Sequence, residues 1–270
     1  LKLKTKNIRI RRVHMEEDTG KLLHAEVDGK KVSLIDFNRS GVPLVEIVTE
    51  PDFENAKQVT EYLQKLQQIV RYLDVSNADM EKGDMRLEPN ISLVPTISNF
   101  KFPISNDDLP KYKVEIKNIN SFRFVAKAIE VEIFRQSEIL DKGRAPAQET
   151  RGWDERKSTT VSQRSKEETH DYRYFPEPDI PPITFGLREI KAVRDQIPEL
   201  PDEKQERFDK EYSLSPYDTE ILVRERNLAN YFEQAVIDGT KYRLTPKQIA
   251  NYIINRKPNT KKVYPEELIK

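Results

Sequence analysis

Apolar and polar residues alternate over most of the first 50 positions, which predicts β-structure. The apolar face of the first strand changes side near Arg11–Arg12, and a β-bulge at that point explains the change. Asp28-Gly29 separates two apolar runs and predicts a hairpin turn. A polar loop at 36–41 then leads to another strand-like run at 44–48. The start of the chain is therefore predicted to form short strands.

Two long segments carry apolar residues three to four positions apart, which is the period of an amphipathic helix. The first covers 55–73, with Asn55 as its predicted N-cap. The second follows Ser121, which is also a predicted cap, and it stops at Gly143. A short strand is predicted at Thr159–Arg164 after this helix.

The last third of the chain has a helical pattern throughout. Ser215-Pro216 and Thr245-Pro246 each combine a cap with a following proline and mark two helix starts. The predicted helices are 188–196, 202–212, 216–239, a helix after Pro246 and another beginning at 262. We therefore place a domain boundary near residue 185, with an α+β domain at 1–185 and an all-α domain at 186–270.

Two segments show no period and contain several prolines. Residues 95–113 are predicted to form a surface loop. Residues 171–182 cannot be helical because of their prolines. They form either an ordered extended arm or a linker, and their aromatic rings favour an ordered arm packed on the domain.

Composition excludes several classes of protein. Lys+Arg and Asp+Glu both number 46, so a nucleic-acid partner cannot be argued from the net charge of zero. The absence of cysteine rules out disulfides, Cys-ligated zinc and a cysteine nucleophile. No run approaches ~20 apolar residues, and we predict no membrane span. Because the sequence starts at Leu1 inside a strand-like segment, we expect it to be the middle of a longer polypeptide.

A cluster of acidic residues follows the basic run in the first strand. His14 precedes Glu16, Glu17 and Asp18, and Gly20 then allows a turn. Oxygen ligands of this kind suit Mg²⁺ or Mn²⁺. Charge runs are more often solvated, so a polar strand end on the surface is the simpler interpretation of these residues alone.

Phosphoryl transfer needs metal carboxylates, cations on the transferred group and a positioned nucleophile. The chain has neither a P-loop nor a GxGxxG motif, so Arg and Lys side chains would have to bind phosphate. Scattered charged residues provide candidates, although scattered charge is also typical of a surface. Glu46 interrupts an apolar run and is either solvent-facing or functional. Trp153 either stacks on a base or, as is more common, packs in the core.

Five long phrases carry a resemblance to a known family. They are HMEEDTGKLLH (14–24), DFNRSGVPLVEIVTEPD (36–52), EIKNINSFRF (115–124), QETRGWDE (148–155) and RSKEETHDYRYFPEPDIPP (164–182). Together they resemble the GatB component of the tRNA-dependent amidotransferases and its archaeal homologue, GatE. The match runs in unbroken order over about 8–196, and phrases of this length are more specific than any short motif above.

The resemblance implies a reaction, a fold and partners. The family uses ATP to phosphorylate the side-chain carboxylate of a misacylated Glu-tRNA(Gln), or Asp-tRNA(Asn), and ammonia then converts the acyl phosphate to the amide. An amidase subunit (GatA-like) supplies the ammonia, and a small third subunit (GatC- or GatF-like) completes the complex. The implied fold is an antiparallel-sheet cradle similar to glutamine synthetase, followed by a helical domain that binds tRNA. The implied cofactors are ATP and Mg²⁺.

Site residues transfer only where the motifs match. The implied metal ligands are Glu17, Glu16, Asp18 and Glu149, of which Glu17 and Glu149 also count as catalytic. The implied phosphate or acyl-phosphate contacts are Arg39, Arg86, Lys117 and Arg151. The implied nucleotide or tRNA contacts are Asn38, Asn118 and Ser121, together with His14 and Glu46 as cofactor-binding candidates.

The sequence also departs from the family pattern. It lacks the N-terminal strand with a Glu-Val-His motif, so we expect the fragment alone to be inactive. MRLEPNIS (85–92) replaces the usual LRCDANVS, and the C-terminal tail domain is mostly absent. These differences point to a mitochondrial matrix protein, of fungal type, with the bacterial cytoplasm as the alternative. A non-catalytic tRNA-binding or scaffold subunit is the competing function, and a stand-alone ATP-grasp-like ligase would lack its glycine-rich loop.

Overall fold

A computed structural model describes residues 1–94, 109–165, 179 and 181–269, without the side chains of 164 and 165. The strands are β1 (Ile10–Glu17), β2 (Lys21–Val27), β3 (Lys30–Asp36), β4 (Pro43–Thr49), β5 (Asn90–Ile91), β6 (Val114–Lys117), β7 (Glu149–Asp154) and β8 (Thr159–Ser165). The helices are α1 (Ala56–Tyr72), α2 (Phe122–Asp141), α3 (Leu187–Asp195), α4 (Pro201–Tyr212), α5 (Pro216–Leu222), α6 (Arg226–Gly239), α7 (Pro246–Arg256) and α8 (Pro265–Ile269). The chain is thus a mixed α+β protein, as the sequence predicts. Most of the loop predicted at 95–113 and of the arm predicted at 171–182 lies outside the described residues.

Two antiparallel ribbons form the first part of the chain. β1 pairs with β4, and the register shifts between Ile10 and Arg12, which confirms the predicted bulge. β2 pairs with β3 across Asp28 and Gly29. Both turn residues have positive φ, 52° and 72°, as a two-residue hairpin turn requires.

A four-stranded sheet in the order β5-β6-β7-β8 follows the ribbons. The sheet is mixed, because β6 and β7 run parallel and the other neighbours are antiparallel. The antiparallel pairs agree with the expected antiparallel sheet, and the parallel pair β6–β7 departs from it. The physical reason is α2, which connects β6 to β7 and returns the chain to the same end of the sheet, as a parallel pair needs.

Helix α2 packs on one face of this sheet and forms its core. Val114 and Ile116 of β6 are fully buried there, together with Val125 of α2. Trp153 is also buried, and its ring centroid lies 6.1 Å from that of Phe124. The packing interpretation of Trp153 is therefore confirmed.

Helices α4 to α7 enclose a second core around Phe208 and Phe232. The single helix predicted over 216–239 is wrong, because the chain breaks between α5 and α6. No glycine or proline marks this break in the sequence. Tertiary contacts cause it: the carbonyl of Val223 accepts hydrogen bonds from Tyr72 Oη (2.5 Å) and Gln68 Nε2 (2.8 Å) of α1.

These bonds also cross the boundary that we predict near residue 185. Lys65 of α1 adds an ion pair to Asp202 of α4, with 2.7 Å between Nζ and Oδ2. The position of the boundary itself stays a prediction. Among the described residues, no helix is long and apolar enough to cross a membrane.

A buried carboxylate joins β1 to the start of α1. Asp52 is 2% exposed and accepts hydrogen bonds from Arg9 Nη2 (2.8 Å) and from the Arg9 backbone N–H (2.9 Å). The Arg9 side-chain hydrogen bonds hold the pKa of Asp52 below its ordinary value, although burial opposes them. A lowered folded-state pKa stabilises the protein above the unfolded value of about 4, and this contribution disappears as pH falls through the folded value.

We expect Asp52→Asn to have a lower melting temperature than wild type at pH 7. The difference between the two melting temperatures should become smaller below about pH 4. The measurement is thermal unfolding between pH 7 and the acid limit of solubility. Glu130→Gln, an exposed change on α2, is the control and should follow wild type throughout. A difference between Asp52→Asn and wild type that is independent of pH would contradict the linkage.

Candidate functional site

Asp18 joins two arginines that are distant in sequence. Its Oδ2 lies 3.2 Å from Arg39 Nε and 2.9 Å from Arg86 Nη2. The backbone fixes Asp18 against the loop after β3, because its N–H donates to the Val42 carbonyl (2.8 Å) and its carbonyl accepts from Gly41 (2.9 Å). The structure therefore brings three of the predicted site residues together.

Arg39 is held from a second side as well. Its Nη1 donates to the carbonyl of Gly83 at 2.9 Å. Gly83 has a φ of +76°, and a Cβ there would lie 3.2 Å from Arg39 Nη1. Glycine at this position thus satisfies both the backbone conformation and the close approach of the guanidinium.

The group carries an excess of positive charge, because two guanidiniums share one carboxylate. The side chains of Arg39 and Arg86 are 40% and 55% exposed, whereas that of Asp18 is 11% exposed. Asp18 orients the arginines, and their remaining N–H groups face solvent. Such a fork of planar donors matches the geometry of phosphate oxygens.

The strand register assigns the other candidates to two faces of the four-stranded sheet. We call the face that contacts α2 the inner face and the opposite one the outer face. Residues on β6 and β7 alternate between them, and paired residues share a face. The outer-face residues are Glu88, Asn90, Glu115, Lys117, Thr150, Gly152, Val161 and Gln163. The inner-face residues are Val114, Ile116, Glu149, Arg151, Trp153, Thr160 and Ser162.

Lys117 lies on the outer face between two carboxylates. Its Nζ is 3.5 Å from Glu88 Oε2 and 3.8 Å from Glu115 Oε1. Thr150 Oγ1 donates to Glu115 at 3.1 Å. Burial and the neighbouring Glu115 raise the pKa of Glu88, while Lys117 opposes the rise. The ammonium of Lys117 thus lies between two carboxylates on the outer face.

The Lys117 group is adjacent to the arginine group. Arg86 and Glu88 flank the buried Leu87, which bridges Ile119. Residues two apart in an extended segment point the same way, roughly 7 Å from each other. Arg86 and Lys117, both predicted phosphate contacts, therefore belong to one continuous surface.

Glu149 and Arg151 lie on the inner face instead. Arg151 Nη1 donates to Glu149 Oε1 at 2.7 Å, and Arg135 Nη2 lies 3.4 Å from the same oxygen. Both arginines also contact the fully buried Glu132, at 2.6 Å from Arg135 and 3.6 Å from Arg151. Burial raises the pKa of Glu149, but hydrogen bonds from Ser162 and Arg151 bring it below the ordinary value.

The structure therefore separates residues that the sequence placed in one site. Glu149 and Arg151 are engaged under α2, on the face opposite Lys117. Sequence reasoning also missed Glu132 as part of this network. A signal existed, since Glu132 and Gln136 are polar residues four apart on the apolar face of α2.

The remaining candidates have local partners. Glu46 lies 3.0 Å from Arg12 and its side chain is half exposed, and its cofactor-binding role stays a prediction. Asn38 hydrogen bonds to Asp36 Oδ1. Ser121 caps α2, because its side chain accepts a hydrogen bond from the Phe124 N–H at 3.2 Å.

Three further candidates lie on β1. Glu16 and Glu17 are exposed near the end of this strand, and His14 is the register partner of Glu46 in the β1–β4 ladder.

Comparison with known sequences decides the family. The GatB/GatE catalytic domain matches residues 1–191. The chain belongs to the GatB/GatE family. The candidate residues described above all lie within the matched part of this GatB/GatE chain.

Three curated relatives are each named as the B component of an aspartyl/glutamyl-tRNA(Asn/Gln) amidotransferase. The protein of Thermosipho melanesiensis is 48% identical over 99% of the chain and 54% of its own length. Those of Persephonella marina and Thermodesulfovibrio yellowstonii are 50% and 48% identical over 93% and 92% of the chain, and over 50% and 49% of their own lengths. The GatB/GatE chain thus spans about half the length of these relatives.

The metal ligands expected for a GatB/GatE member do not converge in this part of the chain. Among the described residues, no three His, Cys, Asp or Glu side chains form a group that could hold a metal ion. Asp18 and Glu149 each contact arginines instead. These residues alone therefore do not fit a complete metal site, and the metal assignment of Glu16, Glu17, Asp18 and Glu149 stays a prediction.

Proposed function

We propose that the chain is the catalytic part of an amidotransferase subunit that activates the side-chain carboxylate of a misacylated Glu-tRNA(Gln) with ATP and converts it to the amide. Asp-tRNA(Asn) is the alternative substrate. The observation that carries the proposal is the pair of exposed guanidiniums, Arg39 and Arg86, held on Asp18 in a chain of the GatB/GatE family. Membership of this family connects the chain to a ligase-type reaction.

The proposed chemistry has two steps. An oxygen of the substrate carboxylate attacks the γ-phosphorus of ATP, a new O–P bond forms, and ADP leaves. Ammonia then attacks the acyl carbon, and phosphate departs with one former carboxylate oxygen. A carboxylate is already ionised near pH 7, so the first step needs no strong base. The main requirement is neutralisation of charge on the transferred phosphoryl group.

The arginine group supplies that neutralisation in our proposal. Asp18 removes part of the rotational freedom of Arg39 and Arg86, so their free N–H groups are already oriented before phosphate arrives. Lys117 adds a third cation on the same surface. Preorganised donors of this kind stabilise developing negative charge more than mobile side chains do.

We also propose Mg²⁺ as a cofactor with Glu17 as one ligand, and Glu16, Asp18 and Glu149 as the other candidate ligands. Mg²⁺ would neutralise phosphate charge. We expect Glu17→Gln in the complete protein to raise the Mg²⁺ concentration for half-maximal activity about tenfold. Glu26→Gln, an exposed change on β2, is the control. An unchanged Mg²⁺ requirement in Glu17→Gln would remove Glu17 from the metal site.

The partners, fold and compartment complete the proposal. We infer a GatA-like amidase that supplies ammonia, a small GatC- or GatF-like third subunit, and misacylated tRNA as substrate. The glutamine synthetase-like cradle and the tRNA-binding role of α3 to α8 belong to the same inference. The relatives named above are bacterial, which favours the bacterial cytoplasm over our prediction of the mitochondrial matrix.

The test uses the complete protein assembled with its amidase and third subunit. We expect ATP consumption that depends on misacylated tRNA, and mass analysis of the amino acid released from the tRNA should show glutamine. Glu-tRNA(Gln) and Asp-tRNA(Asn) are compared in parallel to identify the substrate. Product formed only when a separate kinase subunit is added would support the non-catalytic scaffold instead.

A further inference from the structure

The C-terminal end of α1 contacts the break between α5 and α6. Tyr72 is 1% exposed, and its hydroxyl donates to the Val223 carbonyl at 2.5 Å. Gln68 Nε2 donates to the same carbonyl at 2.8 Å. The end of a helix leaves carbonyls that have no partner inside the helix. Side chains of α1 thus cap the C-terminus of α5.

The contact is reciprocal. Arg226 is the first residue of α6, and its Nη1 donates to the carbonyl of Tyr72 at 3.0 Å. Tyr72 is the last residue of α1, and a cation near the C-terminus of a helix interacts favourably with the helix dipole. Each side therefore satisfies a carbonyl at the end of a helix on the other side. We call the four residues of this contact the helix joint: Gln68, Tyr72, Val223 and Arg226.

A neighbouring face of α1 contacts the loop that leads to the arginine group. Gln67 Nε2 donates to the Ala78 carbonyl at 2.7 Å. Arg71 Nε donates to the Asn77 carbonyl, also at 2.7 Å. Helix positions four apart lie on one face, and consecutive positions are about 100° apart around the axis. These two donors therefore lie about 100° around α1 from the two donors of the helix joint.

The loop after α1 continues directly into the arginine group. The Asp84 N–H closes a turn on the Asp79 carbonyl at 2.9 Å. Gly83 lies inside this turn, and its carbonyl accepts a hydrogen bond from Arg39 Nη1 at 2.9 Å. Arg86 follows the turn immediately. An ordered path thus leads from α1 to both guanidiniums of the arginine group.

We propose that the end of α1 couples the docking of α5 and α6 to the geometry of the arginine group, with Tyr72 as a positioning residue. This inference rests on the proposed function, in which those helices bind tRNA and the arginines bind phosphate. A ligand that binds the docked arrangement more tightly on one side then favours binding on the other, because such coupling is reciprocal. Tyr72 acts through α1 and its loop and touches no reacting group.

The experiment uses the complete protein assembled with its amidase and third subunit. Tyr72→Phe removes one hydroxyl and keeps the buried ring. Thr60→Val is the matched control, because it removes a hydroxyl that bonds inside α1, to the Ala56 carbonyl at 3.0 Å. Hydrogen–deuterium exchange is measured over 77–86 and over 222–226. The kcat for amidation is measured in the wild-type background and in the Arg86→Ala background.

We expect Tyr72→Phe to accelerate exchange in both segments about three- to tenfold, which is the scale of one hydrogen bond. The kcat should fall by a similar factor in the wild-type background. In the Arg86→Ala background the same change should lower kcat by at most about twofold, because residues that act through one another are not additive. Thr60→Val should follow wild type in every measurement.

The proposal is overturned if exchange rises only over 222–226, or if it rises in neither segment. It is also overturned if Tyr72→Phe lowers kcat by the same factor in both backgrounds, as a general loss of folded protein would. A complex that shows no amidation would refute the proposed function instead. The exchange of 77–86 would then still decide the coupling, because it is measured without turnover.

Discussion

Replacing Glu132 with leucine is expected to lower the free energy of unfolding by about 3–5 kcal/mol. The side chain is fully buried and accepts hydrogen bonds from Arg135 Nη2 (2.6 Å), Gln136 Nε2 (2.8 Å) and Thr160 Oγ1 (3.1 Å). Its removal takes away the closer of the two carboxylates that contact Arg135, so that Glu149 remains at 3.4 Å, and it leaves the buried Thr160 Oγ1 without this acceptor. This penalty exceeds the hydrophobic gain from leucine, because partly buried guanidiniums are costly when they lose a carboxylate and buried polar groups are costly when they lose an acceptor.

The measurement is urea unfolding followed by fluorescence of Trp153. Trp153 is the one tryptophan of the sequence and packs beside α2, on the face where Glu132 acts. Glu130→Leu removes a neighbouring exposed carboxylate from the same helix and should change stability by no more than about 0.5 kcal/mol. Equal effects of the two substitutions would mean that the inner-face network contributes nothing specific to the attachment of α2.

Replacing Arg86 with alanine is expected to reduce kcat for amidation about 10²–10³-fold. The guanidinium is oriented by Asp18 at 2.9 Å, and its exposed donors belong to the surface that we assign to phosphate. Arg86→Lys keeps the charge but loses the planar fork, so it should recover only part of the rate.

Steady-state kinetics of the complete complex provide the check. Arg188→Ala, which removes an exposed arginine from α3, is the control and should behave as wild type. Melting temperatures of all variants separate a catalytic loss from unfolding. A kcat for Arg86→Ala within twofold of wild type would exclude Arg86 from the site.

The local features of the fold could be predicted from sequence because their causes are local. The period of three to four residues indicated α1 and α2, the Asn55 and Ser121 side chains cap them as expected, and Asp28-Gly29 forms the hairpin turn. The break between α5 and α6 had no local signal, since contacts from α1 to Val223 impose it. Tertiary contacts of this kind override helix propensity.

The residues of the candidate site could be proposed from the sequence, but the ion pairs between them could not. The family phrases contain Asp18 and Arg39, and Arg86 lies in the segment 85–92 that departs from the family pattern, yet nothing in the sequence indicated that both arginines bind one carboxylate. The i, i+2 alternation placed Glu149 and Arg151 on a common face, but only the position of α2 shows which face that is. Alternation gives relative orientation, and the side covered by a helix depends on the rest of the fold.

The most direct test of the account follows the oxygen that the proposed chemistry transfers. The complete complex is supplied with ATP, glutamine and tRNA charged with glutamate labelled with ¹⁸O in its side-chain carboxylate. If the carboxylate attacks the γ-phosphorus and phosphate later leaves the acyl carbon, each released inorganic phosphate contains one ¹⁸O atom. Arg86→Ala should slow the appearance of this labelled phosphate in proportion to its loss of kcat. Amidation that releases only unlabelled phosphate would contradict the acyl-phosphate route.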